Sequence, residues 1–176
     1  MTPEYLAGFF DGEGCIDVQR MYAAGKFKSR FYVRPRVRIS QTVTSRIVLD
    51  GLCERFGGHM SIRKHGKGKQ RDSVSWELLN DANMRSIIEV MLPHLILKRE
   101  QAKLALWWLN NCQGVRSTEC SGIDQARHKF ADELSAMKHD PQRLSERAIE
   151  EIQLMLQSKH GSDAVTKTET ILARAA

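Results

Sequence analysis

Leu6-Ala7-Gly8-Phe9-Phe10-Asp11-Gly12-Glu13-Gly14 is the stretch around which the chain is organised. Its first half is apolar with small residues, and its second half sets two carboxylates between glycines at an expected helix end. Gly8 and Gly12 are four apart and fall on one helix face, where absent side chains let a second helix come close. The stretch therefore pairs a helix-docking surface with two hard oxygen ligands. Upstream, Thr2 as N-cap, Pro3 at the first helical position and Glu4 in the first turn start a helix that runs to about Asp11.

Downstream, Ile16 and Val18 alternate with polar residues through Cys15–Tyr22, which predicts a strand with one wet face, followed by a turn at 23–25. From Arg30 the alternation is stricter. Arg30, Tyr32, Arg34, Arg36 and Arg38 share one face, and Phe31, Val33, Pro35, Val37 and Ile39 the other. Pro35 cannot donate to a ladder, so this strand is expected at an edge, or with that position turned away from its neighbour. Thr44 or Ser45 then caps a helix whose Ile47, Val48, Leu49, Leu52 and Phe56 form core, closed by Gly57-Gly58.

A second hairpin follows, with Met60 and Ile62 in one strand, Val74, Trp76 and Leu78 in the other, and a basic turn across 66–71. Asp81 is read as the cap of a helix carrying Met84, Ile87, Ile88 and Met91, which stops before Pro93. A longer helix spans about Leu97–Asn110, and weaker helical patterns cover 125–137 and 144–156. The polar tail after His160-Gly161 is either a weakly docked helix or disordered.

The 176 residues suit one domain. Four cysteines without C-x-x-C spacing read as reduced thiols rather than a disulfide frame or zinc site, and Cys112, Cys120 and His128 lack a fourth ligand. No apolar run nears the ~20 residues of a membrane span, so a soluble, intracellular protein without a signal peptide is expected. Net charge is +6, but 14 Lys/Arg against Asp50 and Glu54 between Arg20 and Arg71 put +12 in one segment and leave −6 elsewhere. A concentrated positive field of this kind suits nucleic acid.

The chain resembles the LAGLIDADG homing endonucleases, in the single-motif subgroup that acts as homodimers. Leu6–Gly14 matches the signature, with Phe9-Phe10 in its variable positions, Gly12 in place of alanine and Glu13 as the second acid. The strand end Arg36–Gln41 and the segment Pro93–Lys98 are similar in type and placement. The resemblance implies an α+β fold: an αββαββα core over residues 1–110 with a saddle-shaped antiparallel sheet, and a C-terminal helical extension over 111–176.

It further implies a site-specific, Mg²⁺- or Mn²⁺-dependent double-strand DNA endonuclease of intron homing. Such an enzyme cuts a long pseudo-palindromic site to leave short 3′ overhangs and has no small-molecule substrate. Glu13 and the Gly12 carbonyl would hold metal, with Lys98 near the scissile phosphate and Gln41 ordering water. Leu6, Ala7, Gly8, Phe10, Asp11 and Gly12 would form the dimer interface, Asp11 being mainly structural.

Strand parity and the family's use of its sheet in the major groove select the DNA-facing residues. They are Asp17, Gln19 and Met21; Arg30, Tyr32, Arg34, Arg36 and Arg38; Ser61, Arg63 and His65; and Ser75 and Glu77, with Lys67, Lys69 and Arg71 on phosphate. Bland readings compete. Two acids at a helix end are commonly a cap, Lys98 alone is an ordinary surface lysine, and an arginine stripe is usually a wet strand face. Four like charges on one face do repel, however, which argues for an anionic partner. Trp107 and Trp108 are adjacent on a helix, so one is expected in the core and the other at a contact. The alternative function is a non-cleaving DNA-binding protein or intron RNA maturase on the same fold, in a bacterial cytoplasm or an organelle.

Overall fold

A computed structural model describes residues 1–22, 31–64, 71–112, 115 and 122–157. The expected turn at 23–25, Arg30, His65, Lys67, Lys69, Cys120 and the tail lie outside them. The elements are α1 (Pro3–Glu13), β1 (Gly14–Tyr22), β2 (Phe31–Thr42), a 3₁₀ turn (Val43–Ser45), α2 (Ile47–Phe56), β3 (His59–Arg63), β4 (Ser73–Leu78), α3 (Asp81–Met91), α4 (Arg99–Asn111), α5 (Ile123–Ala136) and α6 (Ser145–Gln157). The four strands lie in the order β1-β2-β4-β3, with β2–β4 and β3–β4 antiparallel.

By contact the chain forms two compact units, Met1–Asp17 with Arg36–Arg99, and Val18–Pro35 with Glu100–Ala176. The cut differs from a division at 110. The distal halves of β1 and β2 group with α4–α6, because that grouping follows packing rather than chain order.

In the first unit, the Thr2 side chain accepts from the Tyr5 N–H and caps α1. Helix α1 packs on α3, and α2 packs on α3 and β4. Leu6, Phe10, Val37, Ile39, Leu49, Leu52, Val74, Trp76, Leu78, Met84, Ile87 and Met91 form a core that is essentially sealed. The alternating parity of β2 and β4 supplies the sheet's share of it. Gly57 and Gly58 take φ of 70° and 102°, and the freed Gly57 carbonyl accepts the Trp76 indole N–H at 2.8 Å. Only glycine adopts such backbone at little cost.

Three expectations are corrected here. Of the two alternatives raised by Pro35, the edge is excluded because β2 is interior; the register with β4 begins at Val37, so Pro35 lies beyond that ladder and its missing N–H breaks no bond to β4. Helix α2 has no side-chain cap from Thr44 or Ser45, which are drawn into the 3₁₀ turn, and Ile47 at its start is 80% exposed instead of core. Helix α3 is capped by Asn80, whose side chain accepts from the Asn83 N–H, and Asp81 is its first helical residue.

In the second unit, Trp108 is the core member of the tryptophan pair, stacked on Phe130 with centroids 4.3 Å apart, while Trp107 is half-buried. Helices α5 and α6 pack together. The Glu100 carboxylate of α4 accepts from the backbone N–H and hydroxyl of buried Ser145 and caps α6 from outside. The Glu133 carboxylate is nearly buried and held by Arg143 (2.5 and 2.9 Å) and Lys129 (2.7 Å).

The Arg143 hydrogen bonds, joined by Lys129, hold the Glu133 carboxyl below its ordinary value. A depressed folded-state pKa adds stability that is complete above the unfolded value of about 4.3 and is lost as pH falls through the folded one. Glu133→Gln is therefore expected to lower the neutral-pH melting temperature by a few degrees and to flatten its fall below about pH 4. Thermal melts between neutral pH and pH 2.5 check this, and an unchanged acid limb would refute it.

Candidate functional site

The two acids of the opening motif end in different environments although only Gly12 separates them. Asp11 turns back onto the segment before α4, where its carboxylate accepts the backbone N–H groups of Ile96 (2.7 Å), Leu97 (3.2 Å) and Lys98 (2.9 Å). These donors lie in the bend just before α4 begins at Arg99, close to the positive end of that helix's dipole, which suits an anion. Glu13, the last residue of α1, is exposed and has no hydrogen-bond or ion-pair partner among the described residues. The first acid builds structure and the second is left open.

Lys98 is tied to the same helix end. Its ammonium donates to the Asp11 carbonyl, one of the last carbonyls of α1, so a cation sits at the negative end of that helix close to Gly12 and Glu13 in the chain. Gly14 ends the helix by donating its N–H to the Phe10 carbonyl. The Phe10 ring covers Gly14 so closely that an added Cβ would lie 2.3 Å from Phe10 Cδ2. Helix, turn and strand are thus fixed around Glu13.

The faces of α1 correct part of the expected interface. Leu6, Ala7 and Phe10 are fully buried against the chain's own core and have no surface for a partner. The open stripe is Tyr5, Gly8, Phe9 and Gly12, with Tyr5 and Phe9 rings stacked at 6.2 Å. Motif spelling points to all nine residues alike, but 3.6-residue periodicity sends 6, 7 and 10 inward and 5, 8, 9 and 12 outward. A Cβ at Gly8 or Gly12 would meet nothing within 4 Å. Among the described residues, nothing requires glycine at either position.

On the sheet face of the first unit, the cations are paired. Asp17 accepts a two-pronged bond from Arg36, Nε to Oδ1 at 2.8 Å and Nη2 to Oδ2 at 3.0 Å, and a third bond from Arg38 Nη2 at 3.3 Å. Glu77 of β4 lies 3.5 Å from Arg36 Nη1 and 4.0 Å from Arg38 Nη1, and it is the register partner of Arg38. The Asp17 hydrogen bonds dominate in raising the Arg36 pKa above its ordinary value. The repulsion expected of the stripe is therefore relieved within the chain at these two positions. In the next row Ser40 and Ser75 share a 2.7 Å hydroxyl hydrogen bond, and Ser61 and Arg63 on β3 are exposed.

Gln41 pairs with Val74, on the parity opposite the arginines, and no bond among the described residues joins it to Glu13 or Lys98. In the second unit Gln19 and Arg34 are exposed, Met21 is half-buried, and the Arg127 guanidinium lies over the Tyr32 ring at 4.9 Å. Arg34, Arg63 and Arg71 have no partner among the described residues. Among the described residues no cluster of three His, Cys, Asp or Glu forms a ready-made metal cage, and no helix is long and apolar enough to cross a membrane. Sequence reading had overlooked Tyr5 and Phe9, although their place on the glycine stripe was the available signal.

The chain belongs to the LAGLIDADG endonuclease family, whose model matches residues 6–103. It is 30% identical over 102 residues to DNA endonuclease I-CvuI of Chlorella vulgaris, across 58% of this chain and 60% of that protein, so it spans about 60% of the curated relative it matches. The crystal structure of the homing endonuclease I-CvuI in complex with its target in the presence of 2 mM Ca superposes with a TM-score of 0.62 at 24% identity, covering 87% of this chain and 93% of that one. The archaeal intron-encoded homing endonuclease I-Vdi141I complexed with DNA gives 0.59 at 18% identity, covering 87% and 95%. The α+β fold is that of these endonucleases.

Proposed function

We propose that the chain works as a homodimer that binds a long pseudo-palindromic double-stranded DNA site and hydrolyses one phosphodiester in each strand, leaving short 3′ overhangs. The observation that carries this reading is Glu13: an exposed carboxylate without a partner among the described residues, at the end of a helix whose open face carries Gly8 and Gly12 between Tyr5 and Phe9, with the Lys98 ammonium bound to the same helix end. Family membership and the DNA complexes of I-CvuI and I-Vdi141I support the substrate class.

A divalent cation fits Glu13 and the Gly12 carbonyl in one respect that matters. Mg²⁺ is usually held by one or two carboxylates plus substrate phosphates and water, not by an all-protein cage, and one open carboxylate per chain is what this helix end offers. The chemistry such a cation supplies is Lewis-acid polarisation of the phosphate and activation of water. Lys98 then has ammonium N–H groups left, beyond the bond to Asp11, to steady charge on the phosphate. Gln41, near the end of β2, is assigned to ordering the attacking water. Arg34, Arg63 and Arg71, with Arg30, Lys67 and Lys69, are assigned to the DNA.

Pairing through the stripe of Tyr5, Gly8, Phe9 and Gly12 explains why glycine stands where the monomer has room for more. Gly8→Leu is expected to leave the fold and its melting temperature nearly unchanged, to weaken self-association at least about tenfold, and to abolish double-strand cutting. Sedimentation and incubation with Mg²⁺ and a randomised duplex library, followed by sequencing of cut ends, check both. An unchanged dimer would overturn the interface, and a wild type that binds the library without cutting any member would leave a binding protein instead of a nuclease.

A further inference from the structure

We propose that Asp17 and Glu77 are specificity-determining positioning residues. They hold Arg36 and Arg38 in one arrangement and cancel their charge, so that this part of the sheet reads a base, through Arg38, instead of gripping phosphate. The inference rests on the sheet being the DNA surface. Arg36 has every guanidinium nitrogen facing a carboxylate, two on Asp17 and one toward Glu77, and its side chain is 21% exposed. It is the scaffold of the cluster. Arg38 is 37% exposed and spends one hydrogen bond, from Nη2 to Asp17. Its Nε and remaining Nη hydrogens stay available as a planar donor edge, whose chemical match in the major groove is the N7 and O6 of guanine.

Asp17 is ill placed to read DNA directly. Its side chain is 12% exposed, and its two oxygens already accept three N–H bonds from the arginines, with the Cys15 thiol at 3.8 Å. Accepting from a cytosine amino group would give one of these up. Two cations and two anions leave the cluster without net charge, so it adds little to the counterion release that drives sequence-independent binding. An arginine freed of Asp17 would instead swing to the nearest phosphate, which carries no sequence information.

The test uses the full chain as wild type, Asp17→Asn, Glu77→Gln, Arg38→Gln and the double variant Asp17→Asn/Arg38→Gln. Each is equilibrated in Ca²⁺ with a randomised duplex library, and the bound pool is sequenced. Affinity for one fixed random-sequence duplex is measured against salt, and melting curves establish folding. Expected for wild type is a guanine preference at one position of each half-site. Arg38→Gln removes it, and Asp17→Asn weakens it at least about fivefold. Asp17→Asn also raises affinity for the fixed duplex and steepens its salt slope by about one.

In the Arg38→Gln background, Asp17→Asn is expected to change selectivity no further, because it acts through that arginine. An Asp17→Asn protein that keeps the wild-type preference overturns the proposal, as does an effect on selectivity that adds to that of Arg38→Gln, which would make Asp17 a reader itself. Glu77→Gln supplies the same comparison should Asp17→Asn fail to fold. A wild type that selects no sequence at all refutes the DNA-reading sheet, which is a different failure from that of the cluster.

Discussion

Replacing Glu13 with glutamine is expected to lower DNA cleavage at least about a thousandfold while leaving duplex binding intact or slightly tighter. The amide keeps the side chain's size and removes its charge. Because Glu13 is exposed and bonded to nothing among the described residues, no hydrogen bond is broken and the fold has no reason to respond. On the proposed placement of Glu13 beside the phosphates, loss of its negative charge favours binding weakly. A single-turnover cleavage assay with Mg²⁺, beside a gel-shift titration in Ca²⁺, separates the two effects. A Glu13→Gln protein that cuts within tenfold of wild type would remove Glu13 from the chemistry. Asp11 gives no such separation, since removing its carboxylate strands three N–H groups and alters the setting of Lys98 together.

The largest effect on stability is expected at Gly122. Its φ of −77° is ordinary, so conformation does not require glycine there. Close approach does: an added Cβ would lie 1.8 Å from the Met155 carbonyl oxygen and 2.8 Å from its carbon. The obstacle is the backbone of α6, which cannot rotate aside, so α5 and α6 must separate. Gly122→Ala is expected to cost about 3 kcal/mol or more, at the upper end of overpacking effects, and to lower the melting temperature by about 6–12 °C. Gly51→Ala is the control. It lies in α2 with nothing within 4 Å, and the gain in helix propensity should stabilise by about 0.5–1 kcal/mol. Melting curves of both proteins decide the matter, and a Gly122→Ala protein as stable as wild type would mean that the two helices pack less closely than described.

The α+β class, the order of elements and the inward faces of β2, β4 and α3 were legible because alternation and helical spacing are local signals. Both ends of α1 were legible, the start from Thr2 and Pro3 and the finish from the glycines after Phe10. Beyond neighbours in sequence, legibility falls. The stretch from Arg20 to Arg71 looked like an unopposed positive field because the two acids that oppose Arg36 and Arg38 stand at 17 and 77, just outside it, and reach them only once the strands are side by side.

Asn80 and Asp81 are both sound caps by residue type, and the helix takes the first, with Asp81 in its first turn. Ile47 reads as core by spacing, yet α2 begins with that side chain turned to solvent. The motif's two acids were separable in role by resemblance alone. In physical terms the first is identified by the three N–H groups it accepts, which come from residues 85 to 87 positions away. Gln41 shows the opposite limit, being placed on its strand by register but brought to no other functional residue by it.

On the proposed pairing, the empty space beside Gly8 and Gly12 puts the chain's folding and its choice of companion under separate control. A side chain at Gly8 starts with no neighbour within 4 Å among the described residues, so such a variant is expected to accumulate as a stable, unpaired protein instead of being degraded. Two differently substituted copies, one bulky at Gly8 and one trimmed at Tyr5, could be made to prefer each other over themselves. The symmetric reader of two equal half-sites proposed above would then become a mixed pair able to address two unequal ones.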